Sequence, residues 1–421
     1  MENANPTVPA EETMPAKPAA LASGDKHIWG IYIALCLISI IELYSASSRE
    51  VASSSLGVIG PVVRHIVMLL GGFGIVWFIS RRHYSDVIPF TIIFALVSVC
   101  MMLYVMFFGD VVNGARRSLT ILGIGIYPAE MVKLSAVLLI ALVMTWNQNP
   151  KELGITTTGV QIASIVMLIL SGLLVKQGLT NTILLVAISF SMMTVGGVKF
   201  KHLAIVAGTL ALCGVIFMGF VKDDDGENRW ETWKARVERF ADKSAPKYEM
   251  PIDATNRQEM YSYMAQANGG VYGKGPGNSR EASRLPLAFS DYIYAIVIEE
   301  TGLLGGVLVL VLYLWLLGRA AGIASRCNRT YPALLVMGMA IMIAFQALFH
   351  MGIVTGVFPV SGQPLPLISK GGTSIAVTAL AFGIMLSVSR TSTRQGNKNR
   401  EIKDEMEALP ENFGGQNPMQ L

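Results

Sequence analysis

Ten apolar runs, each close to twenty residues long, set the terms on which this chain can fold. They fall at 28–45, 62–80, 87–108, 128–146, 157–175, 179–197, 201–221, 290–318, 332–357 and 371–389. A hydrocarbon core of roughly 30 Å takes about 20 helical residues to cross. Lipid offers no hydrogen bonds to an exposed backbone, so each run must close its own bonds as a helix. The rest of the composition agrees, with 52% hydrophobic and only 15% charged residues and a mean hydropathy of +0.50. No nucleic-acid partner is expected from such a balance; membrane lipids are the surroundings it requires.

The first 25 residues are rich in Ala, Pro and Glu, which fits a disordered tail and not a cleaved signal peptide. Positive loops stay on the cytoplasmic side during insertion. Fifteen Lys and Arg residues, among them Arg81, Arg82, Lys199, Arg326 and Arg390, fall on one side when the runs alternate. Both tails are then cytoplasmic, and the long 222–289 loop lies outside. The expected fold class is an all-α polytopic membrane protein of about ten transmembrane helices. It carries one large extracytoplasmic loop and a broken or re-entrant segment before the last helix. The expected divisions are a cytoplasmic tail 1–27, a transmembrane domain 28–390 and a second cytoplasmic tail 391–421.

The usual soluble-enzyme signatures are missing. The four cysteines, Cys36, Cys100, Cys213 and Cys327, show no CxxC spacing, and the five histidines form no HExxH. GVYGKGPGNS at 270–279 lacks the Gly-Lys-Ser/Thr ending of a P-loop and reads as a flexible turn. NRWETWKARVERFADK at 228–243 has Trp230, Trp233, Val237 and Phe240 at helical spacing. That suits a helix lying at the membrane interface or one packed on the protein. No metal site is indicated. Asp223, Asp224 and Asp225 read as a solvated loop start, which leaves room for a divalent cation such as Mg2+ only as an auxiliary.

The chemistry must then come from polar residues in or beside the spans, because ionisable groups in hydrocarbon are costly. Five places qualify: Arg116 and Arg117; Glu130 and Lys133; the segment around Ser290 and Asp291; Gln346 and His350; and Lys370. Glu130 and Lys133, three apart on a helix, are either an internal ion pair or part of a site. Gln346 and His350 either bond a neighbouring helix or face a ligand. Pro359, Pro364 and Pro366 with Gly362, Gly371 and Gly372 cannot share one regular helix. That stretch is either a re-entrant segment lining a cavity or a tight outer loop.

Three carboxylates head the eighth run: Asp291, Glu299 and Glu300. On a straight helix Glu299 lies about 12 Å from Asp291 and is turned about 80° away, while Glu300 points to the opposite side. A glycoside hydrolase needs its two carboxyls roughly 5–9.5 Å apart, so a paired mechanism is excluded. One carboxylate suffices where the leaving group is a diphosphate, whose departure cations such as Arg117, Lys133 and Lys370 assist. Asp291 beside Ser290 would then be a general base toward an acceptor hydroxyl. The competing role is a carboxylate stabilising the first turn of its helix.

The same residues carry a resemblance running from about Trp29 to Arg390. NGARRS and YPAEMVKLS at 113–135, the GNS…LPLAFSDYIYAIVIEETGLLG block at 277–305, and QALFHMGIVTGVFPVSGQPLPLISKGGTS at 346–374 are its most specific pieces. In this order they resemble the shape, elongation, division and sporulation (SEDS) family, the FtsW and RodA proteins. The resemblance implies an inverting peptidoglycan glycosyltransferase that joins lipid II disaccharides through β-1,4 bonds, with Asp291 as essential residue. It further implies that Arg117, Glu130 and Lys133 lie near the lipid-linked substrate, joined in the candidate set by Ser290, Gln346, His350 and Lys370. Implied partners are lipid II, the growing glycan strand, a class B penicillin-binding protein and other division proteins. The implied place is the bacterial inner membrane, at the septum, with the active site on the outer face.

Departures from the family pattern are Ser118 after Arg117, His350 for a common Asn, Lys370 for a frequent Tyr, and GLTNT at 178–182, which lacks the usual aspartate. No tyrosine role is carried over to Lys370. The extended polar tails favour the division branch over the RodA-type elongation branch. A lipid II flippase, or a scaffold to which Asp291 is dispensable, is the rival class.

Overall fold

A computed structural model gives the fold and describes residues 24–46, 59–112, 115–121, 124–149, 154–218, 229–241, 251–253, 256–285 and 288–407. Most of the 1–27 tail, Asp223 to Asp225, and the C-terminal tail beyond 407 lie outside these residues. Twelve helices are described: α1 Lys26–Ala46, α2 Ile59–Arg81, α3 Val87–Phe108, α4 Pro128–Trp146, α5 Thr157–Val175, α6 Leu179–Val195, α7 Phe200–Met218, α8 Arg229–Ala241, α9 Arg257–Gly269, α10 Ile293–Ala324, α11 Thr330–Val354 and α12 Gly372–Glu407. Eight of them are long and apolar enough to cross a membrane, and α6 and the Phe200–Leu212 part of α7 are shorter apolar helices. Together they occupy the ten expected runs.

Local chemistry sets the helix ends. Pro128 opens α4, where its missing N–H costs nothing, and Thr156 accepts a hydrogen bond from the Gly159 N–H at 3.2 Å to start α5. The spans differ in depth. In α4, α11 and α12 some 72%, 72% and 83% of the spanning window is buried, against 22% in α2, so these three form the centre. Ser135 on α4 donates to Ser98 on α3 at 3.0 Å, the kind of polar bond that joins helices where lipid provides no hydrophobic drive.

Three departures from the expectations matter. First, within the otherwise helical fold the segment between α3 and α4 forms a small antiparallel sheet, β1 Asp110–Val112, β2 Ala115–Ile121 and β3 Ile124–Ile126, in that order. Asp110 pairs with Ser118, Val111 with Arg116, and Leu119 with Ile126, the shift after Asp110 marking an irregularity. Second, α10 is broken at Gly302, whose φ of 74° and ψ of −175° lie outside the helical region. Third, GVYGKGPGNS is an ordered strap, not a free turn. Lys274 N–H and Gly275 N–H donate to the carbonyls of Glu299 and Glu300, while Leu303 N–H donates to the Gly270 carbonyl. A Cβ on Gly302 would collide with the Val271 carbonyl and one on Gly273 with that of Glu300, so both crossings need glycine.

The stretch from 355 to 371 has no regular helix and re-enters the protein. Leu365, Leu367 and Ile368 are fully buried. Its carbonyls are satisfied from the helices: Tyr313 Oη donates to Pro366 at 2.5 Å and Ser39 Oγ to Ile368 at 3.0 Å. This is how irregular backbone survives at membrane depth. Leu367 holds a φ of 64°, a conformation a non-glycine residue adopts only when its surroundings enforce it.

Candidate active site

Asp291 sits in the turn just before α10, half-buried, facing the re-entrant stretch. Ser290 Oγ donates to its Oδ1 at 2.8 Å. The turn is fixed from the other side. Ser369 Oγ donates to the Ser290 carbonyl at 2.7 Å while accepting from Leu365 N–H at 2.7 Å, and Lys370 N–H donates to the Phe289 carbonyl at 3.0 Å. Lys370 Nζ lies 5.1 Å from the centre of the Phe289 ring. Gly362 passes directly over the carboxylate, and a Cβ there would stand 2.9 Å from Oδ2.

The helix-capping role assigned to Asp291 as the competing reading finds no bond. The N-cap of α10 is Tyr292, without a side-chain cap, and Asp291 accepts from Ser290 Oγ and from no backbone N–H of the first turn. Burial pushes its carboxyl above the ordinary value of 3.8, against the Ser290 hydrogen bond and the Arg117 charge, which both pull it down. Arg117 comes from β2, and Tyr127, in the residue before α4, feels both Asp291 and Arg117. The sheet is held in place by Thr373 at the start of α12, which accepts from Tyr127 N–H at 3.1 Å and donates to the Gly125 carbonyl at 3.2 Å. Asp110 is taken up within the sheet by Thr120, whose N–H and hydroxyl bond it at 3.1 and 2.8 Å.

The other sequence candidates form two further groups. Glu130, Lys133 and Gln346 are buried together: Lys133 Nζ meets Glu130 Oε1 at 2.7 Å and Gln346 Nε2 donates to Oε2 at 2.8 Å. Glu130 and Lys133 thus form an ion pair within α4, and it is the Gln346 bond to Glu130 that ties α4 to α11. Lys133 is not among the charges acting on Asp291. His350 donates Nδ1–H to the Gln363 carbonyl at 2.6 Å, and Gln363 Nε2 donates to Asn181 Oδ1 at 3.0 Å. The re-entrant stretch therefore links His350 and Asn181 at Gln363 with Asp291 at Gly362 and Ser290 at Ser369. Asn181, Gln363, Gly362, Tyr127 and Thr373 were not singled out as site residues from the sequence. Only the polar Gln363 within a Pro- and Gly-rich run gave a signal.

Glu299 and Glu300 stand apart from this site. Glu299 accepts from Ser279 Oγ at 2.5 Å, Arg280 N–H at 3.1 Å, Glu281 N–H at 3.3 Å and Asn268 Nδ2 at 3.4 Å. It is fully buried and saturated, and it anchors the strap. A cavity of about 850 Å³, bordered by Gln148, Val195, Asn328, Arg329 and Met337, lies at the opposite ends of α4, α10 and α11 and touches none of these residues. Among the described residues no group of three His, Cys, Asp or Glu converges to hold a metal ion.

Asp291 is thus a carboxylate with spare acceptor capacity, beside a guanidinium, under a glycine. Such an arrangement can take a proton from a hydroxyl held next to a polyanionic group. Known proteins resemble the chain along most of its length. The FtsW, RodA and SpoVE family, described as "Cell cycle protein", matches residues 25–394. The probable peptidoglycan glycosyltransferase FtsW of Enterococcus hirae is 26% identical over 385 residues, covering 90% of this chain and 95% of its own. Its namesake in Bacillus subtilis strain 168 is 28% identical over 390 residues, covering 90% and 94%. The peptidoglycan glycosyltransferase MrdB of Escherichia coli K12 is 27% identical over 361 residues, covering 85% and 91%. In structure, a chain of a peptidoglycan synthase complex superposes with a TM-score of 0.68 at 21% identity, over 88% of this chain and 98% of that one. The rod shape determining protein RodA of Thermus thermophilus does so with 0.61 at 20% identity, over 89% and 98%. By the extent of the family match, which runs from residue 25 to residue 394, the chain belongs to the FtsW, RodA and SpoVE family.

Proposed function

We propose that the protein is a peptidoglycan glycosyltransferase that polymerises lipid II, with Asp291 as the general base. The observation that carries the assignment is the state of Asp291: one hydroxyl donor, no helix N–H, a carboxyl raised by burial, and, among the described residues, Arg117 as the cation acting on it. Relatives named as peptidoglycan glycosyltransferases along nine-tenths of the chain support the reaction class.

In the reaction Asp291 accepts the proton of an acceptor sugar hydroxyl as that oxygen attacks the anomeric carbon of a sugar carried on a lipid diphosphate. The new glycosidic bond forms as the bond to phosphate breaks, and the diphosphate leaves with the electron pair, needing no proton. Attack from the face opposite the leaving group inverts the anomeric centre and gives a β-1,4 link. Arg117 on the sheet and Lys370 on the re-entrant stretch supply positive charge for the diphosphate. Ser290 orients the carboxylate. Glu130, Lys133 and Gln346 hold α4 and α11 in register, and His350 with Gln363 and Asn181 fixes the stretch over the base.

The site faces the outer side of the inner membrane in this reading, with both termini cytoplasmic, and the product strand passes to a class B penicillin-binding protein. The name of the synthase complex whose chain shares this fold joins polymerisation to crosslinking, which suits such a partner. The FtsW-named relatives support the division branch. The test is glycan synthesis from purified lipid II by the protein with its transpeptidase. Polymer with the wild type and none with Asp291→Asn supports the assignment. Lipid II crossing liposome membranes without polymer from either would replace it with a flippase.

A further inference from the structure

The carboxylates the reaction does not use show an imbalance of their own. Glu42 on α1 and Glu300 on α10 are each 1% exposed and close enough for their charges to interact. Ser45, three residues after Glu42 and so on the same face of α1, donates its hydroxyl to Glu300 Oε1. The backbone N–H groups of Gly277 and Ser279 also bond Glu300 and favour its ionised form, while the charge of Glu299 next door acts against it, so the proton falls to Glu42. Glu300 Oε2 and Glu42 Oε2 are both enclosed and both lack any hydrogen-bond partner. The ion pairs among the described residues are Glu130 with Lys133, Lys234 with Glu238, Glu281 with Arg284, and Asp25 with Arg319, and none involves either group.

Two ionised carboxylates cannot stand side by side in a dry site without a counter-charge. One proton resolves both orphans at once. A protonated Glu42 becomes a donor, and Glu300 Oε2 is the acceptor it lacks. A resident divalent cation would require six or more oxygens, and two carboxylates with a hydroxyl already committed to donating fall short. We propose that Glu42 and Glu300 form a proton-binding site, the shared proton fastening the end of α1 to the strapped kink of α10.

The other charged and titratable groups near this end are accounted for. Glu299 is saturated by the strap, Glu281 is paired with Arg284 at 3.3 Å, and Glu259 on α9 accepts from Tyr263 at 2.7 Å. His65 on α2 meets Ser39 at 2.7 Å, Arg64 beside it and Tyr44 on α1 are exposed, and neither Lys274 on the strap nor Arg280 after it is among the charges acting on Glu42. Neither α11 nor α12 adds a charge acting on it.

The isosteric amide separates a proton from any ionised alternative, because glutamine reproduces a protonated glutamate and not a charged one. The full-length protein in nanodiscs is compared as wild type, Glu42→Gln, Glu42→Ala and Arg49→Gln, by thermal unfolding from neutral to alkaline pH and by infrared spectroscopy. Arg49 is included because it follows α1 closely in sequence and could supply a counter-charge instead. The native state holds a proton that the unfolded chain releases, so wild-type stability falls as pH rises, while Glu42→Gln lacks that decline. The expected results are a Glu42→Gln melting temperature at neutral pH within a degree or two of wild type, a lower one for Glu42→Ala, no change for Arg49→Gln, and loss of a protonated-carboxyl band in Glu42→Gln. A Glu42→Gln protein as unstable as Glu42→Ala, or destabilised together with Arg49→Gln, would overturn the proposal. Should Glu42→Gln fail to fold, Glu300→Gln must retain the protonated-carboxyl band at a shifted frequency, and its absence from the wild type would be equally fatal.

Discussion

Asp291 and Glu299 lie eight residues apart at the head of one helix, yet their surroundings are opposite. Glu299 is fully buried and receives four donors, two of them backbone N–H groups just after the strap. Asp291 is half-buried and receives a single hydroxyl. A saturated carboxylate has no lone pair to offer and serves to hold backbone in place. An undersaturated one beside a guanidinium is available to a substrate. The contrast therefore separates structure from chemistry more sharply than burial or charge alone.

The largest effect should come from removing the base. Asp291→Asn is expected to lower glycan synthesis by about 10²–10⁴-fold while leaving the fold intact, measured as polymer per unit time from purified lipid II. Because burial raises the native carboxyl above its unfolded value, that group contributes stability at low pH and loses it as pH rises through the native value. At neutral pH the Asn variant should melt no lower than the wild type. Glu299→Ala should do the reverse. Its four donors lose their acceptor at a cost of roughly 3 kcal/mol or more, which thermal unfolding would register before any change in the chemical step.

A different buried group sharpens the same distinction. Lys133→Met leaves Glu130 charged without its partner and should cost about 3–5 kcal/mol, whereas Lys133→Met combined with Glu130→Leu should recover much of it. Recovery of stability with recovery of activity would confirm the pair as structural. Gly362→Ala places a methyl 2.9 Å from Asp291 Oδ2 and should reduce turnover by about 10–100-fold with little effect on melting, since the glycine itself is exposed. The smallest effect belongs to Ser290→Ala. Losing a hydrogen bond of about 1 kcal/mol should move the acid limb of the rate profile upward by roughly 0.7 pH units, because the bond holds the carboxyl down.

Much of this was legible in the sequence. Hydropathy is a one-dimensional signal, and α3, α4 and α5 begin and end where the apolar runs do. The proline and glycine pattern at 359–372 announced the re-entrant stretch, since proline removes donors a helix needs. The kink at Gly302 left no such mark, because a lone glycine in an apolar helix is ordinary and only the strap against it makes it necessary. β1 and β3 are three residues each, too short for an alternating pattern to stand out. The partners of the site were hidden by distance along the chain: Gln363 meets Asn181 across 182 positions and Thr373 meets Tyr127 across 246. The role of Glu299 was hidden for the same reason, its donors coming from a loop that read as free.

The most direct test of the central claim sets the two carboxylates against each other in one assay. Asp291→Asn and Glu299→Gln are purified with the transpeptidase, matched for folded fraction, and given lipid II. Polymer from Glu299→Gln and none from Asp291→Asn is the predicted result. Undiminished polymer from Asp291→Asn would contradict the account, because the carboxylate that its surroundings leave free would then have no part in the reaction.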